Sequence, residues 1–421
     1  MLNNVHVSSE VGSLKRVIVH RPDSGISRIS PKRAEELLFD DIVHLPRMQA
    51  EHDTFTAVLR AFLGDSNVME TQQLILEALD ADGDTKLELL DLIVNYEELP
   101  KSTHDMLKDL PHEQLSEVLI TGYCMQDDHI LFDPIPNFIF TRDIAVVVND
   151  HVVVTKAAKE ARFRENFLTR FIFWSHPVFQ EMRKAGKVIN LNKVDIFPPS
   201  KRGEWVSVEG GDMMILNEDY LLIGHSERTS EHGIRSLAQY LLDRGIVNNV
   251  AQINIPHDRS CMHIDTIFTQ IHHDHIVSFK PIVNEGLSSS VEVLRKHGKP
   301  GYYPSVQDFI LEEVNPSMRF ILSGNGESPY QEREQWTDGC NLVAIRPGVA
   351  LTYDRNPKTE EAFEAAGYNI LHAYDFLKAV EAGRIQPDQL QNTIITLPSS
   401  ELSRARGGSH CMTCPIERVG E

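Results

Sequence analysis

The chain has 421 residues, a formal net charge of −20 and 41% hydrophobic residues. Its length fits two or three domains or one large one, and its apolar content is sufficient for a sizeable core. The excess of acidic side chains argues against nucleic acid as a partner, because phosphate binding requires clustered Lys and Arg. The same charge is compatible with a cationic substrate.

The start of the chain and its cysteines indicate a compartment. No apolar run is long enough to cross a membrane. The first ten residues lack the basic and apolar regions of a secretory signal. Five cysteines in a chain of this length do not make a disulfide framework. We therefore expect a cytoplasmic protein with reduced thiols and no membrane partner.

The N-terminal segment is predicted to contain one strand followed by two helices. The strand covers residues 14–20 and ends before Pro22. Ser30 and Pro31 predict the start of the first helix, with Ser as its cap and Pro in its first turn. The second helix is predicted to end at Gly64.

Residues 70–123 differ in composition from the rest of the chain. Their leucines recur at helical spacing and β-branched runs are scarce. Pro100 and Pro111 divide the segment into several helices. We predict an all-helical insertion here, and a larger α/β domain formed by residues 1–69 and 124–421.

After residue 123 the pattern changes to short strands, and one unit repeats. Each copy is a strand, a tight turn and a second strand. Helices follow the second copy, from Ser230 to Gly245, and the fourth copy, from Pro357 to Gly367. Copies at intervals of roughly 50–75 residues predict a closed pseudo-symmetric array. The predicted hairpins cover residues 144–154, 213–223, 266–278 and 342–352.

Polar residues stand directly before the four hairpins. They are Asp143, Asp212, Asp265 and, before the fourth, Asn341. In a closed array, equivalent positions of successive repeats face a common axis. The spacing therefore predicts carboxylates at one central point, where they repel one another unless a cation, a metal or a proton lies among them. The alternative is that each Asp only forms a turn.

The last residues of the sequence supply a candidate nucleophile. Cys411 follows the pair Gly407 and Gly408 and stands beside His410. Paired glycines allow the backbone to approach a ligand closely, and a cysteine after such a bend, beside a histidine, is a candidate nucleophile. The alternative is a buried cysteine in a C-terminal tail.

A histidine and further polar groups accompany these acids. His263 and Asp265 are two residues apart in a predicted strand, so both side chains should lie on one face. Two to four acids around a thiolate would hold a planar guanidinium face-on to the sulfur, because that group pairs bidentately with carboxylates. The histidine can protonate the departing nitrogen and later deprotonate a water. Neighbouring segments contribute Asn137, Phe140 and Glu209.

Metal binding is the competing account of the clustered acids and histidines. A hard-cation or mixed site could be formed by Glu209, Asp212, His263 and Asp265. Other segments match metal motifs only in part. The pair Cys411 and Cys414 lacks a second ligand pair, residues 272–275 lie in a predicted hairpin turn, and Thr85 replaces the Gly that a calcium loop requires. We expect no metal and no cofactor.

Four short motifs in this order match a known family. They are Phe-Thr-Arg-Asp at 140–143, Glu-Gly-Gly-Asp at 209–212, His-x-Asp-Thr at 263–266 and Gly-Gly-x-His-Cys-Met at 407–412. With them, and with the segments at 6–10 and 19–22, the chain resembles the bacterial-type arginine deiminases of the guanidine-modifying enzyme superfamily. The resemblance covers nearly the whole chain, including the helical insertion.

This resemblance implies a fivefold pseudo-symmetric α/β-propeller of ββαβ modules around a central site. It implies Cys411 as the nucleophile and His263 as the general acid and base. Asp143 and Asp265 would clamp the guanidinium, and Glu209 would assist at the same group. The implied substrate-binding set is Asn137, Phe140, Arg162, Asp212, Arg228 and Arg406, with Arg162 and Arg228 on the substrate carboxylate and Arg406 as a mobile gate.

The sequence departs from the family pattern at three positions. Ile144 stands where the family usually has Pro, which should alter the turn after Asp143. Ala405 and Ser409 replace residues that are often Gly, so a stiffer gating loop is expected. None of these changes removes a catalytic group.

The resemblance implies hydrolysis of L-arginine to L-citrulline and ammonia through a covalent amidino-cysteine, and a homo-oligomer, either a dimer or a tetramer, is expected. Because several carboxylates near a thiol disfavour a second negative charge, the pKa of Cys411 should be raised until a cationic substrate arrives. Alternatives are an amidinotransferase, an agmatine or dimethylarginine hydrolase, and a non-catalytic arginine- or metal-binding protein.

Overall fold

Short strands and helices alternate along the chain, which a computed structural model describes over residues 5–39, 41–126 and 128–420. The helices are α1 (Leu45–Leu63), α2 (Thr71–Ala81), α3 (Gly83–Tyr96), α4 (Lys101–Asp109), α5 (His112–Thr121), α6 (Phe163–Ser175), α7 (Gln180–Lys184), α8 (Glu231–Arg244), α9 (Lys280–Val283), α10 (Val306–Phe309), α11 (Tyr330–Trp336), α12 (Pro357–Ala365) and α13 (Ala373–Glu381).

The strands, like most of the helices, are short. They are β1 (Ser13–Val19), β2 (Val68–Glu70), β3 (Tyr123–Cys124), β4 (His129–Ile130), β5 (Ala145–Val148), β6 (His151–Val154), β7 (Val188–Asn190), β8 (Met213–Asn217), β9 (Tyr220–His225), β10 (Asn249–Asn254), β11 (Phe268–His272), β12 (His275–Ser278), β13 (Ser290–Arg295), β14 (Gly301–Tyr303), β15 (Arg319–Leu322), β16 (Val343–Arg346), β17 (Val349–Tyr353), β18 (Asn369–His372), β19 (Thr393–Leu397) and β20 (Cys414–Val419).

Five of the sheets share one strand order. In each, an antiparallel pair is extended by a strand parallel to the second member of the pair. The five triplets are β20-β1-β2, β5-β6-β7, β8-β9-β10, β11-β12-β15 and β16-β17-β19. Strands β13 and β14 widen the third sheet, β18 widens the fifth, and β3 pairs with β4 separately. The fold is therefore α/β with mixed sheets.

The four predicted hairpins are confirmed as antiparallel pairs. In the first pair, for example, Val147 lies opposite Val152, and in the second Ile215 lies opposite Leu221. All four of these side chains are buried. Strands that are apolar on both faces fit sheets covered on both sides, which explains their nearly continuous runs of Val, Ile and Leu.

The sequence analysis missed the fifth pair, because its strands come from opposite ends of the chain. β20 runs antiparallel to β1, with Ile18 opposite Cys414. The buried Arg418 of β20 donates from Nη1 to the carbonyls of Gly12, at 2.7 Å, and Ala344, at 2.8 Å. The chain end is thereby held in place, and the segment just before β20 is the one that carries Cys411.

The predicted all-helical segment contains α2 to α5. Leu74, Ile93 and Leu115 of these helices are buried in the same apolar core as Val146 and Val153 of the first hairpin. The stretch that resembles a calcium loop joins α2 to α3, as expected, with the Asp82 carboxylate accepting from the amides of residues 84 and 85 at 3.2 Å. Among the described residues, no helix combines the length and apolar character of a membrane span.

The helix predicted at Ser30 and Pro31 is wrong. Only a single 3-10 turn, Pro31–Arg33, forms there. The chain then bends at Leu38, whose φ is 57°, and the Asn137 side-chain amide donates to the Leu37 carbonyl at 2.7 Å. This bend brings Leu38 to the cavity described next.

Candidate active site

Turns at the start of three sheets position the predicted acids. Asp143 lies two residues before β5, Asp212 ends the 3-10 turn Gly210–Asp212 before β8, and Asp265 lies in the 3-10 turn Ile264–Thr266 before β11. All three are buried. The turns themselves contact one another, since the Ile264 amide donates to Asp212 Oδ1 at 3.0 Å.

His263 and Asp265 do not lie on a strand, so that prediction is wrong. Residues 264–266 close a 3-10 turn instead, and the hydrogen bond to Asp212 holds it. Asp212 also accepts from Ser226 Oγ at 2.6 Å, and it does not line the cavity described below. Burial raises the pKa of Asp212 to about 7. Asp212 therefore supports the turn that carries His263 and does not face the cavity.

His263 lies between two acids. Its Nε2 is 3.0 Å from Glu209 Oε2, and its Nδ1 is 3.8 Å from Asp143 Oδ1. Burial alone would lower the pKa of His263, but the charge of Asp143 and the hydrogen bond to Glu209 raise this pKa to about 10. The imidazole is therefore protonated at neutral pH, which suits a general acid.

The Glu-Gly-Gly-Asp motif allows His263 to approach closely. A Cβ on Gly211 would lie 2.5 Å from His263 Nδ1, and a Cβ on Gly210 would lie 1.9 Å from the Arg142 carbonyl oxygen. Side chains cannot be accommodated at such separations. The Gly211 amide also donates to Asp143 Oδ1 at 3.0 Å, which fixes that carboxylate beside the imidazole.

Cys411 is buried beside a carboxylate and an amide. Its Sγ donates to Asp265 Oδ2 at 3.3 Å and accepts from Asn341 Nδ2 at 3.1 Å. The Cys411 amide in turn donates to Asn341 Oδ1 at 3.2 Å. Burial and the charges of Asp265 and Asp143 raise the pKa of Cys411 well above its ordinary value. Both effects favour the protonated thiol.

A small cavity of about 30 Å³ lies among these residues. That volume holds roughly one or two water molecules, so any larger ligand requires side chains to move. Arg259 and Leu38 line both this cavity and a neighbouring one of about 1180 Å³. Nine of the predicted residues line the small cavity: Asn137, Phe140, Asp143, Arg162, Glu209, Arg228, His263, Arg406 and Cys411.

Arg162 already binds the acids predicted for the substrate. Its Nη1 is 2.5 Å from Asp143 Oδ2 and 3.4 Å from Glu209 Oε2, while its Nη2 is 2.8 Å from Glu165 Oε2. Burial would lower the pKa of Arg162, but Glu165 and the other two acids raise it. The second predicted arginine differs, because the buried Arg228 Nε has no hydrogen-bond partner among the described residues.

Arg406 lies at the edge of the cavity in a left-handed backbone conformation, with φ 64°. Its guanidinium lies 3.2 Å over the ring of Trp336. At the next residue, Gly407, the Phe140 ring packs so closely that a Cβ on the glycine would lie 2.3 Å from the ring. The segment before Cys411 is thus stacked on an exposed ring at Arg406 and tightly packed at Gly407.

Sequence reasoning missed several buried groups around Cys411. Asn341 was placed correctly before the fourth hairpin, but its contact with the thiol was not predicted. Glu10 accepts from His410, and Asp338 has a pKa that burial raises to about 7. Asp338 lies outside the four motifs, and Glu10 ends the segment at 6–10 that carries part of the resemblance, but neither acid was given a role. The signals available were that segment and the position of Asn341 before its hairpin.

Two groups of side chains have the spacing of a metal site. The possible ligand atoms of Asp143, Glu209 and His263 lie within 4.8 Å of one another. In this structure the Arg162 guanidinium and the protonated imidazole already neutralise those two acids. The second group lies in the turn between β11 and β12 and consists of His272, Asp274 and His275.

Solved structures define the class of fold. An amidinotransferase of the saxitoxin pathway from Microseira wollei is 15% identical with a TM-score of 0.54, covering 99% of this chain and 98% of that one. A DDAH from Pseudomonas aeruginosa complexed with citrulline is 15% identical with a TM-score of 0.50, covering 96% and 99%. The chain thus has the propeller-like α/β fold of the amidinotransferases and dimethylarginine dimethylaminohydrolases.

Sequence comparison then gives the family. The arginine deiminase family model matches residues 35–129 and 120–418. Curated arginine deiminases from Listeria monocytogenes and Limosilactobacillus fermentum are each 33% identical to the chain, over 440 and 444 residues. The first alignment covers 98% of both sequences and the second covers 99% of both. The chain belongs to the arginine deiminase family, which confirms the resemblance carried by the four motifs.

Proposed function

We propose that the protein hydrolyses L-arginine to L-citrulline and ammonia through a covalent amidino intermediate on Cys411. The contact between the Cys411 thiol and Asp265 supports this proposal most directly. Asp265 Oδ2 accepts from the thiol, while the buried Oδ1 has no hydrogen-bond partner among the described residues. A carboxylate oxygen without a partner, beside a thiol, fits a planar cation that brings its own N–H donors. Asp265 is buried and does not line the small cavity, so the substrate reaches this oxygen only after side chains move. The family membership selects arginine among guanidinium compounds.

The clamp for the guanidinium consists of Asp143 and Asp265, with Glu209 beside His263. Arg162 binds Asp143 Oδ2, so the substrate guanidinium has to replace it there. Arg162 then turns toward the substrate carboxylate. This exchange keeps one guanidinium on Asp143 in both states and avoids a bare buried carboxylate.

The far end of the substrate is received by Arg228, Asn137 and Phe140. Arg228 supports this assignment best, because its buried Nε lacks a hydrogen-bond partner among the described residues and lines the cavity. The Phe140 ring supplies an apolar wall for the methylene chain. Arg406 acts as the gate, since its departure from Trp336 would change the size of a cavity that is now too small.

The first half of the reaction forms a carbon–sulfur bond. Arrival of the cationic substrate offsets the acids that hold the thiol proton, so Cys411 ionises and its proton passes to solvent, while Asp265 stays charged. The thiolate attacks the guanidinium carbon and gives a tetrahedral adduct. The protonated His263 then gives its proton to a terminal nitrogen as the carbon–nitrogen bond breaks, and ammonia leaves. An amidino-thioether remains on sulfur.

The second half replaces sulfur by oxygen. His263, now neutral, takes a proton from water, and the oxygen attacks the same carbon. Collapse of this second adduct breaks the carbon–sulfur bond and releases citrulline. The proton of the adduct hydroxyl passes to the sulfur, and His263 keeps the proton taken from water, so both groups return to their starting states. Glu209, 3.0 Å from His263 Nε2, stabilises the imidazolium each time it forms. Asp212 serves as a support for the His263 turn in this scheme.

Mass spectrometry of the protein quenched during turnover with arginine tests the proposal directly. An adduct with the mass of the arginine-derived amidino group is expected on Cys411, and Cys411→Ser should show none. Citrulline formation by a Cys411→Ala protein would contradict the nucleophile assignment. Metal analysis with a chelator control checks the expectation that activity requires no metal.

Amidino transfer to an amine would share the first half of this reaction. It is distinguished by adding glycine or ornithine during turnover and looking for a new guanidino compound. Agmatine lacks the carboxylate that Arg228 and Arg162 would bind, so it should react far more slowly than arginine. An arginine- or metal-binding protein without activity would bind ligand and release no ammonia.

The complete architecture extends the same proposal. The shared order of the five triplets supports a closed, fivefold pseudo-symmetric propeller of ββαβ modules, with residues 70–123 as a helical insertion between the two parts of the catalytic domain. A cytoplasmic location agrees with five free cysteines. Assembly into a dimer or tetramer remains a prediction, which light scattering of the purified protein tests.

A further inference from the structure

His410, the neighbour of the proposed nucleophile, lies between two buried carboxylates. Its Nδ1 is 2.9 Å from Asp265 Oδ2 and its Nε2 is 3.2 Å from Glu10 Oε2. All three side chains are buried. Carboxylates only accept hydrogen bonds, so both contacts are satisfied together only when both ring nitrogens carry hydrogen. The geometry therefore fits an imidazolium.

The backbone around His410 is fixed independently of its ring. Thr413 donates from Oγ1 to the His410 carbonyl at 2.9 Å, and Ser409 Oγ donates to the Leu351 carbonyl at 2.7 Å. The position of the His410 backbone is thus set by the fold rather than by a substrate. His410 does not line the cavity.

Glu10 in turn is held by Arg142. Nη1 and Nη2 of Arg142 are 3.5 and 3.4 Å from the two oxygens of Glu10. The Arg142 amide donates to the Cys411 carbonyl at 3.0 Å, so the same residue supports the nucleophile and the acid behind it. Burial would raise the pKa of Glu10, but Arg142 and His410 lower it below its usual range. Glu10 is therefore available as a charged partner for an imidazolium.

We propose that His410 is a positioning residue that holds Asp265 in its charged, substrate-accepting orientation, with Glu10 and Arg142 holding His410 from behind. This inference rests on the proposed function. Asp265 Oδ2 serves both His410 and the thiol, which leaves Oδ1, the oxygen without a partner among the described residues, for the substrate. A single bond to the thiol would allow the carboxylate to rotate or to take up a proton.

The charged groups around Asp265, His410 and Glu10 determine how activity should depend on pH. Asp265 is faced by His410 and Cys411, and its charge also acts on His263 and Asp338. Burial would raise the pKa of Asp265, but His410 lowers it. Asp265 must be ionised to accept a guanidinium, so loss of His410 moves the acid limb of activity to higher pH. Glu10 is in turn acted on by the charges of Arg142 and Arg418.

The test compares His410→Gln and Glu10→Gln with wild type and a matched control. His176→Gln is suitable as the control. His176 is also a buried histidine beside a carboxylate, 2.8 Å from Glu77, but it follows α6 and does not line the small cavity. The readout is the pH profile of kcat/KM for arginine from pH 4 to 9, with far-UV circular dichroism to verify folding. Glu10→Gln preserves side-chain size, so it still reports if His410→Gln fails to fold.

We expect kcat/KM to fall roughly 10- to 100-fold in both variants, the loss expected from one charge-assisted hydrogen bond. The acid limb should also move to higher pH in both, while His176→Gln keeps the wild-type profile. A purely structural role would lower activity at all pH values without moving the limb. Folded variants with the wild-type limb would overturn the inference and leave the proposed function standing.

Failure of the proposed function has a different signature. Wild-type protein would then release no ammonia from arginine, whatever the variants do. Carbon-13 NMR of labelled aspartate decides the inference in that case, with the Asp265 carboxyl assigned by its loss in Asp265→Asn. Because His410 lowers the pKa of Asp265, this carboxyl should titrate at higher pH in His410→Gln than in wild type. An unchanged titration in the folded variant would overturn the inference without any turnover.

Discussion

At the scale of single residues, the acids around Cys411 govern its ionisation. Burial and the charges of Asp265, Asp143 and Asp338 raise the pKa of the thiol. A reactive cysteine usually has positive neighbours that lower this pKa, whereas acids dominate around Cys411 even with the imidazolium of His263 nearby. In the proposed mechanism a cationic substrate offsets these acids, which favours cations over neutral ligands.

The pKa of Cys411 can be measured through thiolate absorbance near 240 nm. We expect the wild-type minus Cys411→Ser difference to titrate above the ordinary thiol range in the absence of ligand. Adding guanidinium ion should move that titration to lower pH, since the bound cation offsets the acids. The four other cysteines are common to both proteins and cancel. A thiol that ionises below neutral pH in the empty site would contradict substrate-assisted ionisation.

Arg162 allows a second prediction at this scale. If its guanidinium competes for Asp143, Arg162→Ala should bind the bare guanidinium ion more tightly, because the ion has no carboxylate to lose. The same variant should bind arginine more weakly, since it lacks one carboxylate partner. Changes of roughly 3- to 30-fold in opposite directions are expected from one charged hydrogen bond.

Inhibition constants for guanidinium chloride and KM for arginine provide these two numbers. Arg228→Ala is the matched comparison, because Arg228 makes no ion pair with Asp143 among the described residues. It should weaken arginine binding and leave guanidinium inhibition unchanged. Parallel loss of both ligands in Arg162→Ala would show that Arg162 only maintains the pocket.

The sequence identified the residues with chemistry but not their supports. Asp143, His263 and Cys411 were predicted because their residue types and motif positions suit guanidinium chemistry, and all three line the cavity. Glu10 and Asp338 could not be predicted, since nothing local distinguishes a buried acid from a surface one. These two acids act through contacts with segments that folding brings together, such as the contact of Glu10 with His410.

At the scale of elements, short 3-10 turns decide where the acids point. Period-two alternation predicted strands up to the acids, and it failed at His263 and Asp265 because the turn Ile264–Thr266 bonds to Asp212. Turns of three residues leave no periodic signal. The hairpins themselves, whose strands are four to six residues long and largely buried, were predicted closely.

Gly211 makes the importance of these turns testable. In Gly211→Ala the new methyl group would lie 2.5 Å from His263 Nδ1 and 3.0 Å from Asp143 Oδ1. We expect kcat to fall at least roughly 10-fold through displacement of the imidazole, since small misplacements of a catalytic group are costly. The control is Gly83→Ala, where a methyl group meets no atom within 4 Å. Equal activity of the two variants would show that the turn tolerates the shift.

At the scale of the whole molecule, the two chain ends complete one sheet. β20 pairs with β1, and β2 follows in parallel, so the fifth triplet has the same order as the other four. The sequence analysis found four copies because it searched for hairpins, and no hairpin connects strands that are about 400 residues apart. This pairing bears on the candidate site, because Cys411 lies three residues before β20.

Replacing Arg418 tests how strongly β20 is held in its sheet. It is buried, its Nη1 bonds the carbonyls of Gly12 and Ala344, and burial lowers its pKa to about 10. Arg418→Met leaves two buried carbonyls without a donor and removes a charge near Glu10, so we expect a loss of about 2–4 kcal/mol in the free energy of unfolding. Urea denaturation measures this, with the exposed Arg384→Met as the control. Activity at 25 °C should fall together with the folded fraction, because the strand that Arg418 anchors fixes the position of Cys411. Equal stability of the two variants would mean that backbone pairing between β1 and β20 closes the molecule without this side chain.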